Sequence, residues 1–219
     1  MLLIFDWDGT LADSELHIVS ALQQASAESG LDTPTHASCA RLIGLGLTDA
    51  ARHLHPELDA TQVKNFCATY SRRFIALENE GHRLRLFHGA EQVLEKLLNQ
   101  GHHLAVATGK SRRGLDRALD TSGLRPMFCA TATADETASK PSPAMLHALL
   151  EQTGTSVEAA VMIGDTSFDM KMAQAARMRR VAATYGVHEL SELEQFSPDW
   201  LIENPAQLLA WPALHNQAG

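Results

Sequence analysis

Short apolar runs alternate with amphipathic stretches along the chain. The runs cover residues 2–5, 104–107 and 159–163, with weaker ones at 128–130, 181–183 and 200–202. The three strong runs end in polar or glycine-containing turns that begin at Asp6, Thr108 and Gly164. Short apolar runs bounded by such turns predict buried β-strands.

Helical periodicity fills the intervals between these predicted strands. One apolar face combines Ala90, Leu94, Leu97 and Leu98, and another combines Leu146, Leu149, Leu150 and Thr153. Alternating buried strands and helices predict an α/β fold, with a Rossmann-like parallel sheet and helices on both of its faces. In such sheets ligands bind at the carboxyl ends of the strands.

One segment interrupts the alternation. Residues 14–81 contain no strong strand run, and their apolar positions form helical stripes at Ile18, Ala21, Leu22 and Ala25 and at Val63, Phe66 and Tyr70. We therefore expect a small all-helical cap domain, residues 14–81, inserted into an α/β core of residues 1–13 and 82–219. Hinges are expected near residues 11–14 and 87–89. The alternative is that these helices simply pack on the core.

Composition narrows the range of partners. The 219 residues are 45% hydrophobic, as in an ordinary globular core, and carry a formal charge of −8. An acidic chain is poorly suited to nucleic acid or to an anionic membrane, so we expect neither as a partner. The three cysteines, Cys39, Cys67 and Cys129, form no CxxC motif and indicate reduced thiols. Without a signal peptide's basic region or a run of about 20 apolar residues, the chain is expected to be cytoplasmic. A monomer is the default expectation, and a dimer stays open.

The first candidate for chemistry is the pair Asp6 and Asp8, directly after the first predicted strand and before Gly9 and Thr10. Two carboxylates this close repel each other unless a cation joins them, and hard oxygen ligands suit Mg²⁺. One carboxylate can attack phosphorus and form an aspartyl-phosphate. The other can protonate the leaving oxygen and later activate water.

Three further groups follow in chain order. Thr108 and Gly109 offer a hydroxyl and an unhindered backbone amide to phosphoryl oxygens. Lys140, in a Lys-Pro-Ser-Pro segment, offers an ammonium to a phosphate and to a carboxylate nucleophile. Asp165 and Asp169 lie one helical turn apart, so both carboxylates can face the same site. Asp165 can then bind the metal directly, and Asp169 can act through water or by orienting neighbours. Taken singly, a turn, a surface lysine and a helix cap are the ordinary explanations of these groups.

Together the four groups resemble the signatures of the haloacid dehalogenase superfamily of hydrolases. The likeness spans essentially the whole chain, including the helical cap after the first signature, and the nearest branch is the phosphoglycolate phosphatase-like group. The resemblance implies that Asp6 is the nucleophile and a metal ligand. It implies that Asp8 is the general acid and base, with its backbone carbonyl on the metal.

The same resemblance implies roles for the remaining groups. Thr108 and Gly109 would hold the phosphate, Lys140 would steady Asp6 and the phosphoryl group, Asp165 would bind Mg²⁺, and Asp169 would support it. Two positions depart from the family pattern. His88 stands where relatives usually have proline, and Arg177 where many have glycine. Neither position should touch the phosphoryl group, so both bear on the branch and not on the reaction.

The function predicted in this way is a Mg²⁺-dependent phosphatase acting on a small phosphorylated metabolite. Asp8 argues against a dehalogenase, because that branch lacks the second carboxylate. A sugar phosphomutase on the same fold and a non-catalytic phosphate-binding protein stay open as alternatives. In the cap, the loop of residues 41–46 is expected to line the pocket, with Arg41 and Gly44 as candidates for specificity. The alternative is an ordinary turn between helices.

Overall fold

A computed structural model describes residues 1–79 and 85–215 of the chain. The strands are β1 (Leu2–Phe5), β2 (Ala12–Asp13), β3 (Arg85–Leu86), β4 (His103–Thr108), β5 (Ala130–Thr133), β6 (Ala160–Gly164), β7 (Arg179–Ala183) and β8 (Trp200–Ile202). The helices are α1 (Glu15–Glu28), α2 (His36–Ala40), α3 (Leu47–Leu54), α4 (Ala60–Asn79), α5 (Ala90–Asn99), α6 (Arg112–Ser122), α7 (Ala144–Thr153), α8 (Ser167–Ala175), α9 (Leu190–Glu194) and α10 (Pro212–His215). Short 3₁₀ helices cover Arg125–Met127, Val157–Ala159 and Pro205–Ala210.

Six strands form one parallel sheet in the order β5-β4-β1-β6-β7-β8. The central strand β1 pairs on one side with β4 and on the other with β6, so Phe5 lies beside both Val106 and Ile163. Because all strands run in the same direction, the residues that follow β1, β4 and β6 meet at one edge of the sheet. This edge brings together the segments that begin at Asp6, Gly109 and Asp165.

Alternate residues of the strands are buried on opposite faces of the sheet, which is why the central strands β1 and β6 are apolar along their whole length. Leu3 and Phe5 pack with apolar residues of α5 and α6 on one face. Leu2 and Ile4 pack with residues of α7 and α8 on the other. The predicted parallel sheet with helices on both faces is therefore confirmed.

Helices α1 to α4 form an apolar cluster of their own, separate from the two clusters of the sheet. The predicted stripe on α1 is buried along its length, at Ile18, Ala21, Leu22 and Ala25. Val63 and Phe66 of α4 are buried as well, and Tyr70 is half-buried against them. The predicted boundary between residues 81 and 82 lies outside the described residues. In the described part of the chain no helix combines the length and the apolarity needed to cross a bilayer.

Two details differ from the sequence prediction. The strand expected at residues 128–130 is β5, displaced towards the carboxyl end, because Ala130 pairs with Ala105 while Phe128 ends the preceding 3₁₀ turn. A two-stranded antiparallel ribbon of β2 and β3 joins Ala12 to Leu86. Strands of two residues are too short to produce a hydrophobic period, which explains why the sequence pattern does not indicate them.

Candidate active site

The centre of the site is a buried ion pair between Asp6 and Lys140. Asp6 follows β1 directly and is 1% exposed, and its backbone N–H donates to the carbonyl of Ile163. The Lys140 Nζ atom lies 2.7 Å from Asp6 Oδ1 and 2.6 Å from Asp169 Oδ1. One ammonium therefore joins the end of β1 to the first turn of α8.

Asp165 and Asp169 are held by hydrogen bonds from three directions. The Thr10 hydroxyl donates to Asp165 Oδ1 at 2.7 Å, and the Val187 N–H donates to Asp165 Oδ2 at 2.9 Å. Asp169 Oδ2 accepts from the hydroxyl of Thr166 at 2.6 Å and from its N–H at 3.1 Å. The Asp169 N–H donates in turn to the Thr166 hydroxyl oxygen at 3.3 Å, and the two backbone N–H bonds together form a capping box at the start of α8. These bonds fix the positions of both carboxylates before any ligand binds.

Two glycines make room for the carboxylates. A Cβ atom on Gly9 would lie 2.1 Å from Asp165 Oδ2, and the backbone there has a φ of +82°, which glycine adopts readily. A Cβ atom on Gly164 would lie 2.3 Å from the carboxyl carbon of Asp169. Any other residue at either position would displace an acid from the site.

The charge of this cluster is unbalanced. Oxygens of Asp6, Asp165 and Asp169 lie within 4.8 Å of one another, and all three residues are buried. Burial raises the pKa of Asp6 well above its usual range, and burial followed by the charge of Asp169 raises the pKa of Asp165 to about 7. Burial would lower the pKa of Lys140, but the charges of Asp169 and Asp6 outweigh it and raise that pKa above its ordinary value.

This imbalance fits a divalent cation. Three carboxylates face one ammonium, and Asp6 Oδ2 has no hydrogen-bond partner among residues 1–79 and 85–215. Carboxylate oxygens are hard ligands of the kind that Mg²⁺ prefers. The predicted ligands Asp6 and Asp165 belong to this group together with Asp169, whereas the carboxylate of Asp8 lies outside it.

Asp8 is held at the side of the cluster by two residues that the sequence pattern did not indicate. The Ser14 hydroxyl donates to Asp8 Oδ1 at 2.7 Å, and the Lys110 Nζ atom lies 3.1 Å from the same oxygen. Lys110 also stands 4.9 Å above the ring of Phe74 in α4. Its position directly after Thr108 and Gly109 is the one signal in the sequence that could have pointed to it.

Thr108 and Gly109 lie at the end of β4, beneath the loop that joins α2 to α3. Thr108 is fully buried, and its hydroxyl accepts from the Lys110 N–H at 3.2 Å. A Cβ atom on Gly109 would lie 2.5 Å from the Leu45 carbonyl oxygen and 2.6 Å from that of Gly44. The loop also donates the Gly46 N–H to the Ser139 hydroxyl at 2.8 Å, so it is docked on the sheet edge.

A cavity of about 540 Å³ opens between this edge and the helices α1, α3 and α4. Its floor includes Asp6, Asp8, Thr108 and Gly109, and Gly44 lies in its wall. Lys140, Asp165 and Asp169 lie behind the floor, in the buried cluster.

Arg41 does not share this position. Its guanidinium lies 3.1 Å from Glu192 Oε1 and borders a separate, smaller pocket near His188. The two residues that were predicted to confer specificity therefore face different pockets.

Comparison with known proteins identifies relatives along the whole chain. The sequence pattern of the haloacid dehalogenase-like hydrolases matches residues 3–183. A phosphoglycolate phosphatase from Aliivibrio fischeri is 30% identical over 95% of this chain and 95% of its own. The pyrophosphatase PpaX from Halalkalibacterium halodurans is 27% identical over 94% of each chain. A hydrolase from Pseudomonas syringae has the same fold, with a TM-score of 0.88, 24% identity and full coverage of both chains.

Proposed function

The chain belongs to the haloacid dehalogenase-like hydrolases and is a phosphatase, and from this premise we propose that it hydrolyses small phosphate monoesters with Mg²⁺, through an aspartyl-phosphate on Asp6. The observation that carries the proposal is the position of Asp6. Its buried carboxylate lies 2.7 Å from the ammonium of Lys140 and borders the cavity that Asp8, Thr108 and Gly109 also line.

In the first step, an oxygen of Asp6 attacks the phosphorus, and the bond from phosphorus to the ester oxygen breaks. Asp8 donates its proton to the leaving oxygen, so the product leaves as a neutral alcohol. Thr108 and the Gly109 N–H hold the oxygens of the transferring group, and Lys140 steadies its charge. Mg²⁺, held by Asp6, Asp165 and the Asp8 backbone carbonyl with support from Asp169, would neutralise charge on the phosphoryl oxygens.

In the second step, Asp8 takes a proton from water, and the water oxygen attacks the phosphorus of the aspartyl-phosphate. The bond between phosphorus and Asp6 breaks, which releases phosphate and restores the carboxylate. Ser14 and Lys110 both contact Asp8 Oδ1 and position that carboxylate for its two proton transfers.

The proposed division into domains follows the packing. We propose that residues 14–81 form the cap and that residues 1–13 and 82–219 form the core. The apolar cluster of α1 to α4 and the ribbon of β2 and β3 at the base of these helices support it. Closure of the cap over the cavity would exclude bulk water during the two steps.

The test is phosphate release from a panel of small esters, with Mg²⁺ or with EDTA, by wild type and Asp6→Asn. Asp6→Asn should retain the fold, as measured by circular dichroism, and lose turnover. Acid quenching of the wild-type reaction should trap a phosphoryl group on the protein that hydroxylamine removes. Asp6→Asn should not form this labelled species. Asp32→Asn, at an exposed position outside the cavity, is the matched control and should behave like wild type. Wild-type turnover by pure Asp6→Asn would disprove the nucleophile, and turnover of sugar phosphates without phosphate release would favour a phosphomutase.

A further inference from the structure

The cavity is large for the smallest candidate substrates. Its volume of about 540 Å³ lies within the range of about 300–1,000 Å³ that is typical of pockets for drug-sized ligands. A phosphate ester group has five non-hydrogen atoms, so a pocket of this size leaves room for an organic body of roughly a dozen more. A two-carbon acid or a second phosphate would leave much of this space filled with water.

The walls away from the catalytic floor are mainly apolar. Ile18 and Leu22 of α1, Ile43 and Leu45 of the docked loop, and Ile75 of α4 all border the cavity. Water against such walls is unfavourable, because the free energy falls when an apolar group covers an apolar surface and displaces the water. These walls therefore favour a substrate with an apolar body.

The basic side chains that border the cavity are mostly engaged by acids of the protein. Lys110 pairs with Asp8 at 3.1 Å, and Arg117 pairs with Glu78 at 3.1 Å. Arg72 contacts Glu28 on the outer side of the cap. Within the described part of the chain, Arg113 is the basic residue of the lining without an acidic partner, and it is exposed.

A second anionic group on the substrate would therefore meet no dedicated cation in the interior of the cavity. Removing a carboxylate or a phosphate from water costs free energy unless a cation or hydrogen-bond donors replace the water. The interior supplies apolar side chains instead.

From these observations we propose the substrate class of the site: a phosphate monoester whose alcohol part is an uncharged, largely apolar group of roughly a dozen non-hydrogen atoms. This inference rests on the proposed phosphatase function. It distinguishes the preferred substrate from phosphoglycolate and from pyrophosphate, the substrates in the names of two relatives.

The test is kcat/KM for n-alkyl phosphates from ethyl to octyl, beside phosphoglycolate and pyrophosphate, with Mg²⁺. Each methylene that enters the apolar part of the cavity should raise kcat/KM by about three- to fourfold. Hexyl phosphate should exceed phosphoglycolate by more than about tenfold. Ethyl phosphate matches phosphoglycolate in length and isolates the effect of its carboxylate.

Two variants locate the effect in the cavity. Ile75→Ser should reduce the dependence of kcat/KM on chain length, because it replaces part of the apolar wall with a hydroxyl. Leu16→Ser is the matched control, since Leu16 is 72% exposed on α1 and does not border the cavity. It should leave the whole series unchanged.

The possible outcomes separate the two proposals. A preference for phosphoglycolate or pyrophosphate would overturn the proposed substrate class and leave the phosphatase function intact. If Arg113→Gln then lost this preference, the anionic group would be recognised at the mouth of the cavity. Equal kcat/KM along the alkyl series would also overturn the proposed substrate class. Phosphate release from none of the esters would instead contradict the proposed function on which the substrate class depends.

Discussion

At the scale of single residues, the contacts of Asp8 support the proton-transfer role proposed for it. Its carboxylate lies beside the buried cluster, between the hydroxyl of Ser14 and the ammonium of Lys110, and borders the substrate cavity. In the proposed mechanism, a carboxyl group in that position gives its proton to the leaving oxygen, whereas Asp6 attacks the phosphorus. The two acids are separated by one residue but meet different partners, and this separates their proposed roles.

Asp8→Asn should therefore discriminate between leaving groups. With alkyl phosphates, whose leaving oxygen needs a proton, kcat/KM should fall by about 10²–10⁴-fold. With p-nitrophenyl phosphate, whose leaving group is stable as an anion, the loss in kcat/KM should be less than about tenfold. Steady-state kinetics on both esters measures the ratio, with Asp32→Asn as the control, and equal losses on both would contradict the assignment of Asp8 as general acid.

Arg177, one of the two positions at which the sequence departs from the expected family pattern, has a backbone conformation that favours glycine. Its φ is 54°, in the left-handed region, and it follows α8 at an exposed position. A left-handed residue other than glycine costs about 1–2 kcal/mol, partly offset by the greater freedom of glycine in the unfolded chain. Arg177→Gly should thus raise the free energy of unfolding by about 0.5–1 kcal/mol, as measured by urea denaturation.

The control for this substitution is Arg177→Ala, which removes the same side chain and keeps the backbone cost. It should show no comparable gain in stability, and both variants should keep the wild-type kcat/KM because Arg177 does not border the cavity. An equal gain in both variants would trace the effect to the arginine side chain and not to the backbone.

The part of the site that lies at the ends of the strands could be predicted from the sequence. Asp6 and Asp165 each follow a strand that apolar residues mark, and Thr108 ends another. The parallel sheet brings those three ends together. The contacts of Ser14 and Lys110 with Asp8 depend on side-chain directions across the entrance to α1, which no periodicity records. The position of Arg41 likewise depends on how the loop meets Glu192 of a distant helix.

At the scale of elements, the fold could be predicted where segments are long enough to show a period. The first and last residues of β1 and β8 agree with the predicted apolar runs. The buried faces of α5 and α7 agree with the predicted apolar faces. The strand β5 reads Ala-Thr-Ala-Thr, whose small residues give a weak signal beside the more apolar Phe128. Packing against β4 decides the register there, and the local sequence does not.

The loop between α2 and α3 joins helices α1 to α4, the proposed cap, to the sheet edge that carries the candidate site. Because a Cβ atom on Gly109 would lie 2.5 Å from the Leu45 carbonyl oxygen, Gly109→Ala must displace this loop or the turn that follows β4. Displacements of about 1 Å at a catalytic site cost roughly 10²-fold in rate. We expect a loss of that order in kcat/KM with the unfolding free energy changed by less than about 2 kcal/mol.

The control for Gly109→Ala is Gly30→Ala. Gly30 has a φ of +70°, and a Cβ atom there would meet nothing within 4 Å. This variant should lose about 1 kcal/mol of stability through backbone strain and keep its kcat/KM. The pair separates loss of docking from loss of stability, and wild-type kcat/KM in Gly109→Ala would show that the loop contact does not constrain the site.

At the scale of the whole molecule, a chain with a formal charge of −8 has to bind an anionic substrate. The long-range field of such a protein repels phosphate esters, and three buried carboxylates add to this at the site. A bound divalent cation reverses the local charge. The metal is therefore expected to matter for the stability of the folded protein as well as for the reaction.

A ligand that binds only the folded state stabilises it by about 2.7 kcal/mol at a concentration a hundred times its Kd. For a chain of 219 residues this predicts that Mg²⁺ raises the Tm by about 5–10 °C over the value in EDTA. Asp165→Asn should abolish the increase. This substitution removes one of three like charges, which stabilises the folded protein, and weakens the hydrogen bonds from Thr10 and Val187, which destabilises it. Because the two effects oppose each other, the Tm of Asp165→Asn in EDTA should stay within a few degrees of wild type. Glu151→Gln, at an exposed acid on α7, should keep the full increase. If Asp165→Asn retained the increase, the cation would bind elsewhere on this acidic surface, and the carboxylate cluster would lose its assigned role.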